Sequence, residues 1–465
     1  MGTLEEECSD QLADPPQSKT KCKNNKRVSF PPDGELVSGF AEKKEVLKDV
    51  SSLTLQGILT SYKQSCEKHQ VEPKAKLLEQ LQDITDIHHR ISSLDLRGEL
   101  LTYQSCECLE EILKGLQFEL IDLQETKLDE NGASALLDMI LYYESATYLN
   151  ISSNQNIGGL GWLALSQLIQ KSSCLVGLDA SNMPLLECPA RTLSRALQFS
   201  RLTVLHLENC YLTGRPLFTL VSGLTFSPAL QELYLASNGL NGSQDSMQLG
   251  DLVKYNCSLK VLDLRDNHIS DTGLEDICEG LMVPNSGLRC LVLWNNQLTH
   301  QSMRHLAKAL PFSNNLETLN LGKNALRNEG IQRLKDSLII NQSVQKLGLA
   351  STRLTCEGAV ALAEFIAESR CIRRLDVRRN LLRAGGLMAL SLALRINKSL
   401  IRVDLDRTPK EEKEAFLLET QKSKIVEIWK LCRRNATASN RTATENGHSE
   451  YVEVMLESRM HHHEA

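Results

Sequence analysis

The sequence predicts an α/β solenoid, with short parallel strands stacked on one side and helices on the other. Two observations carry this. From residue 91 the chain repeats itself, most clearly in Leu262-Asp263-Leu264-Arg265-Asp266-Asn267-His268-Ile269 and Leu319-Asn320-Leu321-Gly322-Lys323-Asn324-Ala325-Leu326. Aligning the central apolar residue of each copy gives Leu94, Ile121, Leu149, Leu178, Leu205, Leu233, Leu262, Leu291, Leu319, Leu347, Leu375 and Val403, with spacings of 27 to 29 residues throughout. Composition agrees: 42% of residues are hydrophobic but only 5% aromatic, so aliphatic side chains, mainly Leu, must fill a continuous core.

Each copy reads LxxLxLxxNxL and runs into a stretch of helical apolar spacing such as 359–367. Within LxL the flanking residues share one strand face and point inward, while the middle residue points outward. The Asn of the pattern, as in Asn238, Asn267, Asn296, Asn324 and Asn380, stands where the chain leaves the strand. There its amide can satisfy backbone groups that the turn leaves unpaired. Thr126, Cys210, Thr352 and Thr408 replace it in other copies, and Met183 and Glu99 are weaker substitutes. Copy three carries one extra residue before Ile157. Ser270 and Thr355 are set to cap helices, each followed by an early acid. No single copy buries its own apolar face, so stacking must do it. This pattern resembles the leucine-rich repeat in its longer, ribonuclease-inhibitor-like class. The resemblance implies a horseshoe of about twelve repeats over 91–410, with parallel strands inside and helices outside.

An array needs caps at both ends. Residues 47–90 supply the first: 51–69 and 74–88 have helical spacing, with Pro73 between them. Residues 411–434 supply the second, as a helix presenting Phe416, Leu417, Ile425, Ile428, Trp429 and Leu431. Residues 1–46 and 435–465 are polar and read as disordered tails. The run His461, His462 and His463 lacks the supporting ligands that a metal site needs, so neither metal nor cofactor is expected.

The N-terminal tail contains Lys26-Arg27-Val28-Ser29-Phe30. In an extended segment Val28 and Phe30 share one side, so both can enter one groove, a recurring mode of peptide recognition. Basic residues precede the segment, acidic residues follow it, and the apolar pair Leu36-Val37 lies just beyond. Incidental tail hydrophobes or a nuclear-import signal are the blander readings. The segment resembles the RVxF motif with which regulatory subunits grip protein phosphatase 1. With twelve long repeats behind it, the chain resembles the leucine-rich-repeat regulatory subunits of that phosphatase. The resemblance implies docking to the phosphatase catalytic subunit through Lys26, Arg27, Val28, Phe30, Leu36 and Val37, with inhibition of its complexes. Ser29, between the anchors and after two basic residues, is a candidate phosphosite. Gly57-Ile58-Leu59-Thr60 is close to a second docking motif but belongs to a capping helix.

The inner strand face is the second candidate surface. Its outward position carries Asp95, Asp122, Asp179, Asp263, Asp376 and Asp404, with Tyr234 between. Tyr234, Asp263, Arg265, Trp294, Arg374, Asp376 and Arg378 are the candidate partner residues. A solvated face retained for folding is the alternative. The arginine cluster around 370–383 either binds an acidic partner or offsets the acidic column.

A net charge of −6 argues against nucleic acid as a partner. The 14 cysteines show no metal-ligand spacing and read as reduced and mostly buried. There is no secretory leader and no membrane-spanning run, which points to the cytoplasm or nucleus. No P-loop, nucleophile elbow or HExxH is present, so the chain is not expected to be an enzyme. Two alternatives remain: a leucine-rich-repeat GTPase activator, and a ribonuclease-inhibitor-like scaffold without phosphatase binding.

Overall fold

The computed structural model describes residues 54–443, except 83, 85, 285 and 407–413. The segment expected to dock, Lys26 to Phe30 with Ser29, together with Leu36 and Val37, the ladder position Thr408 and the histidine run, therefore lies outside the described residues. Twelve strands form one parallel sheet in strict sequence order. They are β1 (Ile91–Asp95), β2 (Phe118–Asp122), β3 (Ala146–Asn150), β4 (Gly177–Asp179), β5 (Val204–His206), β6 (Glu232–Tyr234), β7 (Val261–Asp263), β8 (Cys290–Val292), β9 (Thr318–Asn320), β10 (Lys346–Gly348), β11 (Arg374–Asp376) and β12 (Arg402–Asp404). Two helices precede the sheet, α1 (Leu55–His69) and α2 (Ala75–Gln82). Then come α3 (Tyr103–Gly115), α4 (Glu130–Tyr143), α5 (Gly158–Lys171), α6 (Glu187–Leu197), α7 (Arg215–Leu224), α8 (Ser243–Tyr255), α9 (Asp271–Leu281), α10 (Met303–Ala309), α11 (Arg327–Ile340), α12 (Cys356–Glu368) and α13 (Arg383–Ile396), with α14 (Ala415–Ala443) closing the described chain.

The strand register matches the repeat register at every step. Leu94 lies opposite Ile121, Ile121 opposite Leu149, and so on to Leu375 opposite Val403. A one-residue slip would turn the leucines out of the core, so the pattern specifies the pairing strongly. Strands pack about 4.8 Å apart and helices about 9 Å apart, so stacking both bends the sheet inward and makes its free face the concave one.

The asparagines form a ladder that is unbroken from Asn238 through Asn267 and Asn296 to Asn324. Asn267 is fully buried. It donates to the Leu235 and Arg265 carbonyls at 2.9 and 3.1 Å, and its Oδ1 accepts from Asn238 N at 2.8 Å. Asn238, Asn296, Asn324 and Asn380 bond the same way. Asn154 belongs to this set as well, donating to Leu123 and Ile151 carbonyls at 2.8 and 2.9 Å. A second ladder, not anticipated, runs along the helix C-termini. Asn256, Asn341 and Asn397 each donate to carbonyls of the preceding repeat and accept from their own loop.

Several expectations need correction. The second capping helix ends at Gln82 and does not reach residue 88. There Asp86 accepts from His88 N at 2.8 Å and pairs with His89, a local turn that competes with the helix. Gln80 instead closes the sheet edge, donating to Asp95 O at 2.7 Å and accepting from Asp95 N at 2.8 Å. The closing helix runs to Ala443, past residue 434, because Asn435 is buried and completes the second ladder on Asn397 O and Leu400 O. Its buried stripe is Gln421, Ile425, Ile428, Cys432 and Asn435, while Phe416 and Trp429 are exposed. Ser270 caps α9 as expected, but Thr355 does not cap α12. Asn328 of the preceding repeat takes that role, accepting from Gly358 N at 3.2 Å and donating to Thr355 Oγ1 at 2.8 Å. Gly57 to Thr60 lie inside α1, with Ile58 and Leu59 buried. All described cysteines are free, and most are buried or half-buried, with Cys188 and Cys257 exposed.

Candidate functional site

The aspartate column on the inner face has a local structural job. Asp95, Asp122, Asp179, Asp263 and Asp376 each accept from the backbone N–H two residues on, at 2.9 to 3.1 Å. Asn150 and Asn320 do the same in their repeats. A short acceptor side chain thus satisfies the donor left unpaired where each strand ends. The charge is then matched laterally. Asp95 binds Lys76 at 2.9 Å and Arg97 at 3.1 Å, and these partners outweigh burial to hold its carboxyl well below the usual range.

The structure splits the seven candidate partner residues into two groups, one on or just after β6 to β8 and one on or just after β11. The intervening strands β9 and β10 separate β8 from β11 by about 14 Å. In the first group, Tyr234 stacks on His206 with ring centroids 4.0 Å apart and an interplanar angle of 5°. Its hydroxyl donates to Glu232 Oε2 at 2.8 Å. Tyr234, Val261, Cys290 and Val292 form a small apolar cluster against which Val204 and Trp294 pack. Trp294 lies over Gly322, where a Cβ would meet its ring at 2.1 Å, so the strand-end glycine makes room for the indole. Tyr148 covers Gly177 in the same way.

Asp263 is buried beneath Arg265, whose Nε donates to Asp263 Oδ2 at 2.8 Å. Burial pushes the Asp263 carboxyl up and the guanidinium opposes this, while Asp263 in turn holds the Arg265 proton more firmly. Sequence reading overlooked Glu208, although it occupies the register position of Arg265 and Trp294. It binds His206 Nδ1 at 3.1 Å and accepts from Ser181 Oγ at 2.6 Å. Burial alone would raise its carboxyl, but these bonds hold it below the usual range.

The second group is an ion-pair network. Arg374 and Arg402 both grip Asp404, at 3.0 and 2.9 Å, and Arg378 binds Asp376 at 2.8 Å. Burial would raise the Asp404 carboxyl, and the two guanidinia lower it further than that. Arg370, Arg373, Arg379 and Arg383 are exposed. The cluster thus divides into inner-face arginines that neutralise the aspartate column and outer ones at the surface.

Two candidates, Tyr234 and Asp263, are therefore buried and not offered to a partner; Trp294, Arg265, Arg374, Asp376 and Arg378 are half-buried. Burial pushes the thiols of Cys210 and Cys290 up to about 12, which leaves them unreactive near neutral pH. Among the described residues no group of His, Cys, Asp and Glu could hold a metal ion. A cavity of about 40 Å³ lies between the last repeat and α14, room for little more than water. The geometry suits macromolecular contact.

A family model described as Leucine Rich repeat matches residues 255–278 and 312–335. Curated homologues 52 to 56% identical over 63% of the chain are named Protein phosphatase 1 regulatory subunit 37. That of Bos taurus is 55% identical over 293 residues, covering 63% of this chain and 42% of the relative. The Protein phosphatase 1 regulatory subunit 37 homolog of Caenorhabditis elegans is 37% identical over 312 residues, covering 64% of this chain and 33% of the relative. The chain thus spans less than half the length of these relatives. A chain in the crystal structure of the yeast Rad7 and Elc1 complex matches with a TM-score of 0.40 at 16% identity, covering 77% of this chain and 92% of that one.

Proposed function

We propose that this chain is a regulatory subunit of protein phosphatase 1, inhibitory in effect and without chemistry of its own. The observation that carries the reading is the conjunction of two independent ones. Relatives more than half identical across the matched region are named as regulatory subunits of that phosphatase. The tail of this chain also holds Lys26-Arg27-Val28-Ser29-Phe30, followed by Leu36-Val37, the residue types such a docking groove takes. Phe30 is the main anchor: full burial of a Phe contributes roughly 2 to 3 kcal/mol, and of a Val somewhat less.

An extended peptide held in a groove does not by itself block a catalytic centre elsewhere. Inhibition then comes either from displacing regulators that use the same groove or from the repeat array covering substrate-docking surface. Both act in the cytoplasm or nucleus, and among the described residues no helix is long and apolar enough to cross a membrane. Ser29 is the control point. A phosphate there adds about −1.5 to −2 charge beside a groove that selects a basic peptide, and weakens docking about tenfold.

The test is co-purification of the phosphatase catalytic subunit with the intact chain and with a Val28→Ala, Phe30→Ala chain. Retention by the variant would sink the reading. Activity on a phosphoprotein and on a small chromogenic substrate separates the two modes. If residues 20–40 alone reproduce the effect, competition suffices; if only the full chain does, the array contributes.

A further inference from the structure

Because every helix of the array runs in the same direction, all helix C-termini lie along one edge of the solenoid. At that edge stands a row of uncovered apolar side chains. Phe226, Tyr255, Phe312, Ile340 and Ile396 each lie seven residues before the central strand residue of their repeat, and Phe199 lies six before. Their exposures are 74, 56, 59, 62 and 68%, and 69% for Phe199. An apolar residue at or just past a helix end can pack back on the last turn. Exposure above half shows that these do not.

The row is unbroken over three successive repeats, Phe199 after α6, Phe226 after α7 and Tyr255 at the end of α8. The next repeat places Pro284 there. Cations border this stretch: Arg201 and Lys254 are exposed, Lys254 Nζ sits 5.0 Å from the Tyr255 ring centroid, and Lys260 bonds the neutral Gln231 at 2.7 Å. Asp251 on α8 and Glu279 on α9 act on Lys254 from the helices behind, and Glu317 is 3.6 Å from Arg289.

We infer that the rim formed by Phe199, Phe226 and Tyr255 is a docking surface for an acidic amphipathic helix of a partner protein, with one apolar side chain per heptad. The spacing supports this occupant. Neighbouring helices pack about 9 Å apart, and seven residues of an α-helix advance about 10.5 Å, so successive heptad positions meet successive rim residues. An extended strand would need three residues for the same step, and its side chains would alternate away from the rim. The cations supply the charge complement. The presence of Ile340 and Ile396 at the same register favours apolar side chains over stacked bases, which want aromatic rings throughout.

The experiment uses the full chain and a designed, fluorescein-labelled 21-residue helical peptide, rich in Glu and Ala, with Leu once per heptad. Comparison probes are the same composition with Leu every five residues, a Lys-rich version, vesicles of phosphatidylcholine and phosphatidylserine, and an oligothymidylate. The in-register acidic peptide should bind at least tenfold more tightly than the five-residue version, and salt should weaken it. Phe226→Ala with Tyr255→Ala should cost a further tenfold or more with an unchanged melting temperature, and Lys254→Glu several-fold. Equal binding of the two acidic peptides would overturn the inference. So would preference for the Lys-rich peptide, the vesicles or the oligonucleotide, or indifference to the rim variants.

Discussion

On the inner sheet face Tyr234 is 8% exposed and Asp263 only 1%, while on the helix C-terminal rim Phe226 is 74% and Tyr255 56% exposed. The face that looked like a binding surface from residue type has largely satisfied itself. Its aspartates close strand ends and hold arginines, its tyrosine stacks on a histidine, and its tryptophan lies over a glycine. The rim, which drew no attention in the sequence, leaves large apolar side chains without cover. Polar residues on a strand face have neighbours 4.8 Å away on both sides and can saturate one another. Residues at helix ends are held farther apart and cannot. Burial by adjacent repeats, more than residue type, thus separates a structural face from an available one.

The comparison can be broken or sharpened by substitution. Asn267→Ala should have the largest effect, about 4 kcal/mol in chemical denaturation. It leaves the Asn238 and Leu240 N–H groups unpaired, at roughly 1 to 3 kcal/mol each, and takes one of two donors from each of the Leu235 and Arg265 carbonyls. A loss under about 1 kcal/mol would mean that water replaces the ladder. Asp263→Ala should follow, at about 3 kcal/mol, because it removes the carboxylate that the half-buried Arg265 guanidinium is bonded to. If Asp263→Ala folds with wild-type stability, the inner face is less self-satisfied than described.

Asp404→Asn should cost about 1.5 kcal/mol at neutral pH, the worth of hydrogen bonds to a charged group. Its folded carboxyl is held below the ordinary value, so the stability it contributes is present above pH 4, roughly its unfolded value, and is lost as pH falls through the folded one. The wild-type stability curve should therefore drop on the acid side, and Asp404→Asn should make that limb shallower; equal slopes would show that the network does not depend on this charge. Phe226→Ala with Tyr255→Ala should have the smallest effect, within about 0.5 kcal/mol, as for surface positions generally. A marked fall in melting temperature would show that the rim residues are packed and would erase the contrast between the two surfaces.

Much of the fold was legible in the sequence. The period of 27 to 29 residues identified the twelve strand centres from Leu94 to Val403, and the observed pairing joins those same residues. The ladder asparagines were legible too, because an Asn at a strand exit has few other uses. The helix-end asparagines were not, since Asn256 or Asn397 resembles any loop residue until the carbonyls it caps are known to belong to the preceding repeat. Cap lengths failed for a related reason. Whether a helix continues past residue 434 depends on Asn435 finding Asn397 and Leu400, which are far away in sequence.

By itself, then, the sequence determined the repeat and its register, because each is written in residues close together along the chain. Only the tertiary structure decided which side chains are covered. That depends on groups brought alongside from the repeat before and the repeat after. It buried Asp263 under Arg265, placed Trp294 over Gly322, and left Phe199, Phe226 and Tyr255 open at the rim.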